Sequence, residues 1–295
     1  MKVDHKVYSI ILIISLLITV FSILGYQYLG EPNNKDEPVN SIKVMTYNIH
    51  LSYDYGAGGN INLEKIAELI EDNEVDIIGF QESDTNRLIS SNQNSIMWLS
   101  HKLKMYYYYG APTSEGIWGV SLLSRWEIED PTYHKLPSDE TLQRITLVCK
   151  INIPEPFGSI DVLVTHLDFE SSEIQLKQIE KIIDIVGERP RSIILGDFNT
   201  VIAQDQEGKT LDQDPSYKLL NDTFEDAWVS SGGSFSELTS YYFDESDVYD
   251  VSNTRIDYIW LHGTLSVVPN SHLVLGSKSI SDHRAIIVEI TRSIN

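Results

Sequence analysis

The stretch Val75-Asp76-Ile77-Ile78-Gly79-Phe80-Gln81-Glu82-Ser83 sets the fold class. Its first six residues form a short, nearly continuous apolar run, the pattern of a strand buried on both faces. Upstream, Leu63, Ile66, Ala67 and Ile70 recur at helical spacing behind Asn62, a residue suited to cap a helix. Further upstream, residues 42–47 read as a strand, with Val44 and Thr46 β-prone. Downstream, residues 93–104 form a second helix that buries Ile96, Leu99 and Leu103. Strand-like runs follow at 105–109, 120–123, 144–151 and 160–165. A third helix starts near Ser172, whose hydroxyl is placed to pair with Gln175 in a capping box. Its apolar stripe is Leu176, Ile179, Ile182, Ile183 and Val186, and Gly187 supplies its stop. Runs at 192–195, 256–261, 272–275 and 285–290 complete the strands. That is too many strands for one open sheet covered by helices on both faces. The reading is α/β, with two sheets packed together and helices outside.

The chain has 295 residues, 42% hydrophobic and 22% charged, which is ordinary globular usage and excludes collagen-like, disordered and multi-span membrane classes. Lys plus Arg is 22 against 43 Asp plus Glu, a formal net charge of −21. Such a surface is ill suited to holding nucleic acid by neutralising phosphates, and anionic lipid headgroups repel it. Neither argument touches a phosphate substrate held by a bound metal ion. Cys149 is the one cysteine, so no intramolecular disulfide forms. Ile145, Leu147, Cys149 and Ile151 alternate along one strand, which turns Cys149 towards a core.

The amino terminus reads separately from the fold. Residues 7–30 contain no Asp, Glu, Lys or Arg, and the apolar heart is residues 7–25. At ~1.5 Å per residue that length nearly crosses a ~30 Å hydrocarbon core. Lys2 and Lys6 precede it, whereas Glu31, Asp36 and Glu37 follow with Lys35. The positive-inside bias keeps the amino terminus in the cytoplasm and exports the rest. Ser22-Ile23-Leu24-Gly25 matches a signal-peptidase site poorly, which favours an uncleaved anchor over a cleaved signal. The organisation expected is therefore 1–30 cytoplasmic stub and transmembrane signal anchor in the cell membrane, 31–40 linker, and 41–295 folded domain outside the cytoplasm.

Polar residues gather where apolar strands end, the place where a rigid frame positions reactive groups. The segments are Met45–His50 (MTYNIH), Gln81-Glu82-Ser83-Asp84, Thr165-His166-Leu167-Asp168, Gly196-Asp197-Phe198-Asn199, Arg255-Ile256-Asp257-Tyr258 and Ser281-Asp282-His283-Arg284. They supply the oxygen ligands of a hard cation, and Mg²⁺ usually takes one or two carboxylates while keeping waters and phosphate oxygens. They also supply two histidines with nearby carboxylates, suited to proton transfer near neutral pH. There is no thiolate set for zinc, no serine nucleophile elbow and no glycine-rich phosphate loop; Gly56-Ala57-Gly58-Gly59 has neither phosphate-loop spacing.

In order, TYNIH, FQES, THLD, LGDFNT, RIDYIW and SDHRAI resemble the endonuclease/exonuclease/phosphatase superfamily over essentially residues 43–290. Any one of these motifs is weak; the ordered set is specific. The resemblance implies a four-layer α-β-β-α sandwich of two packed mixed sheets, here preceded by one transmembrane helix, and a Mg²⁺-dependent phosphoester hydrolase, with Mn²⁺ as the other ion. Between residues 48 and 125, GFQESDTNR, KLKMYYYYG and GIWGVSLLSRWEI look like the exported carboxy-terminal domain of membrane proteins that remodel GPI-anchor lipids, and like bacterial relatives of that domain. That narrower likeness points to phospholipid or sphingolipid phosphodiesters.

Carried over residue by residue, the resemblance makes Glu82 the metal carboxylate and Asn48 its partner on the first strand. Asp282 joins the metal or phosphate shell. Asp197 and Asn199 match residues that position the attacking water and the phosphate, and an Asx turn would present both. His283 matches the catalytic histidine, Asp257 the carboxylate that orients it, and His166 the histidine that stabilises or protonates the leaving group. Either His283 or Asp197 is the base. His166 shares a strand face with Ile160, Val162 and Val164, which is also the pattern of a buried core histidine. His50 lines the cleft or acts, Asp168 is undecided, and Arg125 reads as structural rather than as a phosphate clamp. Two departures from nuclease members stand out. The Asn they carry is missing from Gly119-Val120-Ser121-Leu122-Leu123-Ser124, and only Glu115 is a candidate acidic partner for the second histidine. Three functions compete: an anchored phosphodiesterase on lipid headgroups, a metal-dependent nuclease, and a non-catalytic lipid- or protein-binding domain.

Overall fold

A computed structural model describes residues 11–19, 37–54, 60–87, 92–111, 118–139, 142–187, 189–200, 214–233, 239–240, 255–277 and 280–293. The first half runs β1 (Ser41–Asn48), a 3-10 turn (His50–Ser52), β2 (Tyr53–Asp54), β3 (Asn60–Ile61), α1 (Leu63–Asp72), β4 (Ile77–Asp84), α2 (Ser95–Leu103), β5 (Tyr106–Gly110), β6 (Trp118–Ser124) and β7 (Ile128–Lys135). The second runs β8 (Ile145–Ile153), β9 (Gly158–His166), α3 (Ser172–Val186), β10 (Arg191–Asp197), α4 (Pro215–Asn221), β11 (Glu225–Asp226), α5 (Ala227–Ser230), β12 (Asp257–Gly263), β13 (Leu265–Val267), β14 (Leu273–Leu275) and β15 (Ala285–Arg292).

Two mixed sheets result. One has the order β13-β15-β1-β4-β6-β5, with β14 also on β15; the other is β11-β12-β10-β9-β8-β7. Each has one parallel pair, β1 with β4 and β9 with β10, among antiparallel neighbours. The parallel pairs need crossovers, and α1 and α3 supply them.

Three hydrophobic clusters fill the three interfaces of four layers. Between the sheets lie Val44, Ile77, Leu122, Cys149, Val162, Val164, Ile193, Leu195, Ile259 and Ile286 among others. Helices α1 and α2 press Leu63, Ile66, Ile70, Ile96 and Leu99 onto Met45, Ile78, Phe80 and Ile287. Helices α3 and α4 press Ile179, Ile182, Val186 and Leu220 onto Leu163, Ile194, Tyr258 and Trp260. Strands such as β1 and β4 are thus covered on both faces, as their continuous apolar runs require. At Gly79 the sheets nearly touch: a Cβ there would lie 2.8 Å from Leu195 Cβ. Cys149 is fully buried between the sheets, and burial pushes its thiol up to about 12.

Several local expectations shift. The helix after β9 is capped by Ser171, whose Oγ accepts from Ile174 N at 3.3 Å, not by a Ser172–Gln175 box. Gln175 is instead buried and donates to the carbonyls of Asp168 and Phe198. The buried stripe of this helix takes in Ile174 and Ile185, while Leu176 and Ile183 are half-buried. Gly187 ends it in a right-handed conformation, φ −48°. Seven elements were not expected: the short β2, β3, β11, α5 and β13, the edge strand β7, and α4, which starts at Pro215 behind the capping Asp214. The apolar run 7–25 is described only at residues 11–19, which are helical; the rest of it lies outside the described residues, as do Glu115 and residues 56–59. Among the described residues no helix is long and apolar enough to cross a membrane.

Candidate active site

The site is the polar continuation of the core between the sheets. On β1 the row Ile42, Val44, Thr46 ends in Asn48; on β9 the row Ile160, Val162, Val164 ends in His166. On β10 Ile193 and Leu195 lead to Asp197, and on β12 Leu261 and Ile259 lead back to Asp257. Because side chains alternate along a strand, each of these polar groups faces its apolar row's partners on the other sheet. Register then aligns them: Asp197 pairs with His166 on one side and Asp257 on the other, so three site residues form one rung.

Glu82 breaks this rule. Ile78 and Phe80 face α1 and α2, so an unbroken strand would send Glu82 to the same side. The β4–β6 register instead shifts between Phe80 and Ser83, and Glu82 takes φ +52°. This bulge turns Glu82 towards β1, where Asn48 Nδ2 donates to its Oε1 at 3.1 Å. His50 (φ +39°) and Asn199 (φ +49°) are also left-handed, so three residues of the site region carry backbone strain.

One hydrogen-bond network joins the parts. Asn48 Nδ2 also donates to Asp197 Oδ2 at 2.9 Å, which ties the two sheets together. Asn199 N donates to Asp197 Oδ1 at 3.0 Å, the Asx turn after β10. His166 Nε2 lies 3.5 Å and His283 Nε2 3.7 Å from Asp197 Oδ2. His283 Nδ1 is 2.9 Å from Asp257 Oδ2. Ser281 Oγ donates to Asn48 O at 2.7 Å and accepts from His283 N, which locks the His283 loop to the end of β1. Asp282 Oδ2 meets His50 Nδ1 at 2.7 Å.

Burial and charge set the protonation states. Burial, then the Asp257 charge, lifts Asp197 to about 7. Burial alone would lower His283, but Asp257 and Asp197 outweigh it and hold the imidazole well above its ordinary value. Burial and the Arg144 charge push His166 well below its ordinary value. Burial would lower His50, but its bond to Asp282 and the Asp282 and Glu82 charges together raise it; burial would raise Asp282, but the same bond and the His283 and His50 charges together lower it. At neutral pH the centre holds a charged His283, a neutral His166 and an Asp197 near its midpoint.

A protein-family model described as "PGAP2IP, C-terminal nuclease-like domain" matches residues 39–231. The chain belongs to this family, within the endonuclease/exonuclease/phosphatase superfamily. Protein cwh43 of Schizosaccharomyces pombe is 33% identical over 132 residues, 44% of this chain and 13% of that protein. The chain thus matches about an eighth of that relative's length. Among solved structures, an endonuclease/exonuclease/phosphatase from Beutenbergia cavernae superposes with a TM-score of 0.68 at 21% identity, covering 86% of this chain and 72% of that one. A mannosyl-6-phosphatase from Bacteroides thetaiotaomicron gives 0.62 at 16% identity, covering 85% and 99%. Truncated TDP2 from Caenorhabditis elegans gives 0.58 at 18%, covering 87% and 100%. These likenesses establish the fold.

All eight residues that this nuclease-like domain was expected to use come together: Asn48, Glu82, His166, Asp197, Asn199, Asp257, Asp282 and His283. Of the three other candidates, one joins them and two stand apart. His50 joins the site through Asp282. Asp168 shapes the turn that leads into α3, its Oδ1 accepting from Glu170 N and Ser171 N at 2.9 Å. Arg125 bonds Val75 O and Asp76, at the other end of β4.

The donor chemistry fits a hard divalent cation. Glu82 and Asp282 both act electrostatically on His50, so two carboxylates and the Asn48 amide converge at the more open edge of the site. Asp197, Asp257 and His283 also bring ligand atoms within 4.8 Å of one another, fully inside the protein. There, however, His283 Nδ1 is committed to Asp257 and Asp197 to Asn48 and Asn199. That set suits proton transfer, and the oxygen-rich edge suits the cation.

Sequence reasoning missed Arg144 and Trp118. Arg144 directly precedes β8 and is buried; its guanidinium carbon lies 5.4 Å from the Trp118 ring centroid, and the Trp118 ring lies 5.8 Å from the His166 ring. Trp118 lies in the GIWGVSLLSRWEI stretch but reads there as a strand aromatic, and Arg144 lies outside every motif, where a charged residue beside a strand start carries no signal of its own.

Proposed function

We propose that the chain is a divalent-metal-dependent phosphodiesterase. It is tethered to the cell membrane by residues 7–25, works outside the cytoplasm and acts on a phospholipid or sphingolipid headgroup. The observation that carries the hydrolase reading is the single network from Glu82 through Asn48 to Asp197 and on to the His283–Asp257 pair. The family's likeness to domains of GPI-remodelling proteins supports the lipid. The net charge of −21 disfavours DNA or RNA.

Glu82, Asn48 and Asp282 would hold Mg²⁺, or Mn²⁺ in its place. When bound, the ion acts as a Lewis acid on the phosphoryl oxygens and offsets their developing charge. Asp197 and Asn199 orient the attacking water, and Asp197, near its midpoint at neutral pH, accepts the water's proton. His283 stays charged against Asp257 and faces the phosphoryl group as a donor. His166, kept neutral, stands beside the leaving group and hydrogen-bonds it.

The test offers phosphatidylinositol and sphingomyelin vesicles and plasmid DNA to the same preparation, with Mg²⁺ and with EDTA. Lipid headgroup release that EDTA abolishes, with DNA intact, is expected. Rapid DNA nicking without lipid cleavage would replace the lipid with nucleic acid. No turnover of either would favour a binding domain.

A further inference from the structure

Arg144 is 4% exposed, and its Nε and Nη1 are buried without a hydrogen-bond partner among the described residues. A guanidinium stays protonated in proteins and brings N–H donors in a fixed plane. Leaving such donors unmet inside a protein costs folding free energy. The other deeply buried arginine, Arg255, also leaves Nε and Nη1 unpartnered, but its charge is met, because Nη2 bonds both oxygens of Asp226 at 2.7 and 2.9 Å. Among the described residues Arg144 has no such carboxylate; Asp197, Glu82 and Asp168 act on it only at a distance.

What Arg144 does have is a pocket. With Trp118, Gly119, Ile145 and His166 it lines a small, partly open pocket where β8 begins and β9 ends. The Trp118 ring covers the guanidinium, which fixes its plane while leaving its edge donors unused. His166 stands at the same pocket and reaches Asp197 at 3.5 Å, so an occupant of the pocket would adjoin the reacting rung.

We propose that Arg144, held by Trp118, is the substrate-binding residue that grips a phosphate oxyanion beside His166. This deepens the phosphoester-hydrolase reading and rests on it. It names the group by which a site otherwise crowded with carboxylates attracts an anion. An unpaired buried cation is the complement such an anion needs, and charge-assisted bonds from guanidinium to phosphate are among the stronger ones in proteins. The same chemistry would hold a lipid phosphodiester or free inorganic phosphate.

The test uses the full chain in detergent micelles, as wild type, Arg144→Gln and Arg144→Lys. Inorganic phosphate is titrated calorimetrically in EDTA, and turnover of phosphatidylinositol in mixed micelles is measured with Mg²⁺. Arg144→Gln should weaken phosphate binding at least tenfold and raise KM by a similar factor with a smaller change in kcat. Arg144→Lys should recover part of both losses. Melting separates this role from a structural one: removing an unsatisfied buried charge should leave Tm unchanged or higher. Unaltered phosphate affinity and KM in folded Arg144→Gln would overturn the inference. So would a collapsed Tm that the lysine variant restores without restoring phosphate binding. A wild type that binds phosphate through Arg144 yet turns over no phosphodiester would support this subsite and overturn the hydrolase reading. Cleavage of the lipid without measurable inhibition by free phosphate would assign the subsite to the diester.

Discussion

Asp197 and Asp257 are register partners on the antiparallel strands β10 and β12, so two buried carboxylates stand side by side where the inter-sheet core ends. Neighbouring like charges resist double ionisation, and here burial reinforces them, which is why Asp197 rises to about 7. His283 offsets the repulsion by bonding Asp257 at 2.9 Å and facing Asp197 at 3.7 Å. The arrangement poises protons near neutrality, and it costs stability whenever Asp197 ionises.

Asp197→Asn should therefore help stability while removing function. Asp197 titrates near 7 when folded and near 3.8 in a free chain. The folded state is thus penalised as pH rises from about 4 through 7. Relative to wild type, the variant should gain about 1–3 kcal/mol between pH 4 and pH 8, a few degrees of Tm. Its kcat should fall by about 10²-fold or more, the scale of a lost general base. Paired melting curves at the two pH values decide the matter; a parallel pH dependence in both proteins would remove Asp197 from the poised role.

Asp257 should control the pH profile from one step away. Its charge raises both His283 and Asp197. Whichever of them must be neutral or ionised to accept a proton, activity rises as pH climbs through that raised value. Asp257→Asn removes the charge and nearly keeps the shape, so the rising limb should move to lower pH. Maximal rate should still fall, because the bond that orients His283 changes and the base is weaker. A pH–rate profile at saturating Mg²⁺ checks both; an unmoved limb with an unmoved plateau would separate Asp257 from proton transfer.

Glu82→Gln should separate metal binding from folding. Glu82 is half-buried, and its contact to Asn48 survives as an amide pair. Its stability should stay within about 1 kcal/mol of wild type, as expected for a residue outside the packed core. Mg²⁺ affinity should fall at least tenfold and activity should drop to the EDTA background. Calorimetric titration of Mg²⁺ with a phosphate analogue present measures the first effect directly. Full affinity in the variant would move the cation to another set, and Asp197–Asp257–His283 would be the next one to substitute.

Much of this was legible because the site obeys strand periodicity. Asn48, His166 and Asp197 each lie two residues beyond the last apolar residue of an inward row, or one polar step further, and alternation carries the row into the cleft. His166 therefore satisfies both readings of its pattern: it is buried on the core face, and that face ends at the site. What periodicity could not show was a break in itself. The bulge at Glu82 depends on a left-handed backbone that no side-chain pattern announces. β7 was invisible because an edge strand with Pro131 and mostly exposed side chains has no buried row to read. Arg144 was invisible because its meaning lies in the partner it lacks, and only packing reveals that.

Gly79→Ala is the test of the sheet spacing that brings the halves of the site together. Asn48 and Glu82 belong to one sheet, Asp197 and His166 to the other, and the 2.9 Å bond from Asn48 to Asp197 spans them. Gly79 sits between the two parallel strand pairs, and its missing Cβ lets Leu195 and Val164 approach. A methyl group there would meet Leu195 Cβ at 2.8 Å and Val164 Cγ1 at 3.1 Å, both rigidly packed side chains. Overpacking of this kind costs about 1–3 kcal/mol, which should lower Tm by about 2–10 °C. The strand ends should also part by a few tenths of an ångström, lengthening the bond between Asn48 and Asp197. Because no residue of the site changes, substrate affinity should hold while kcat falls, by about tenfold or more if positioning is as sensitive as catalysis usually makes it. Steady-state kinetics well below the new Tm distinguishes the two effects. A variant that melts lower yet keeps full kcat would show that the network absorbs the displacement, and that the sheet spacing serves packing alone.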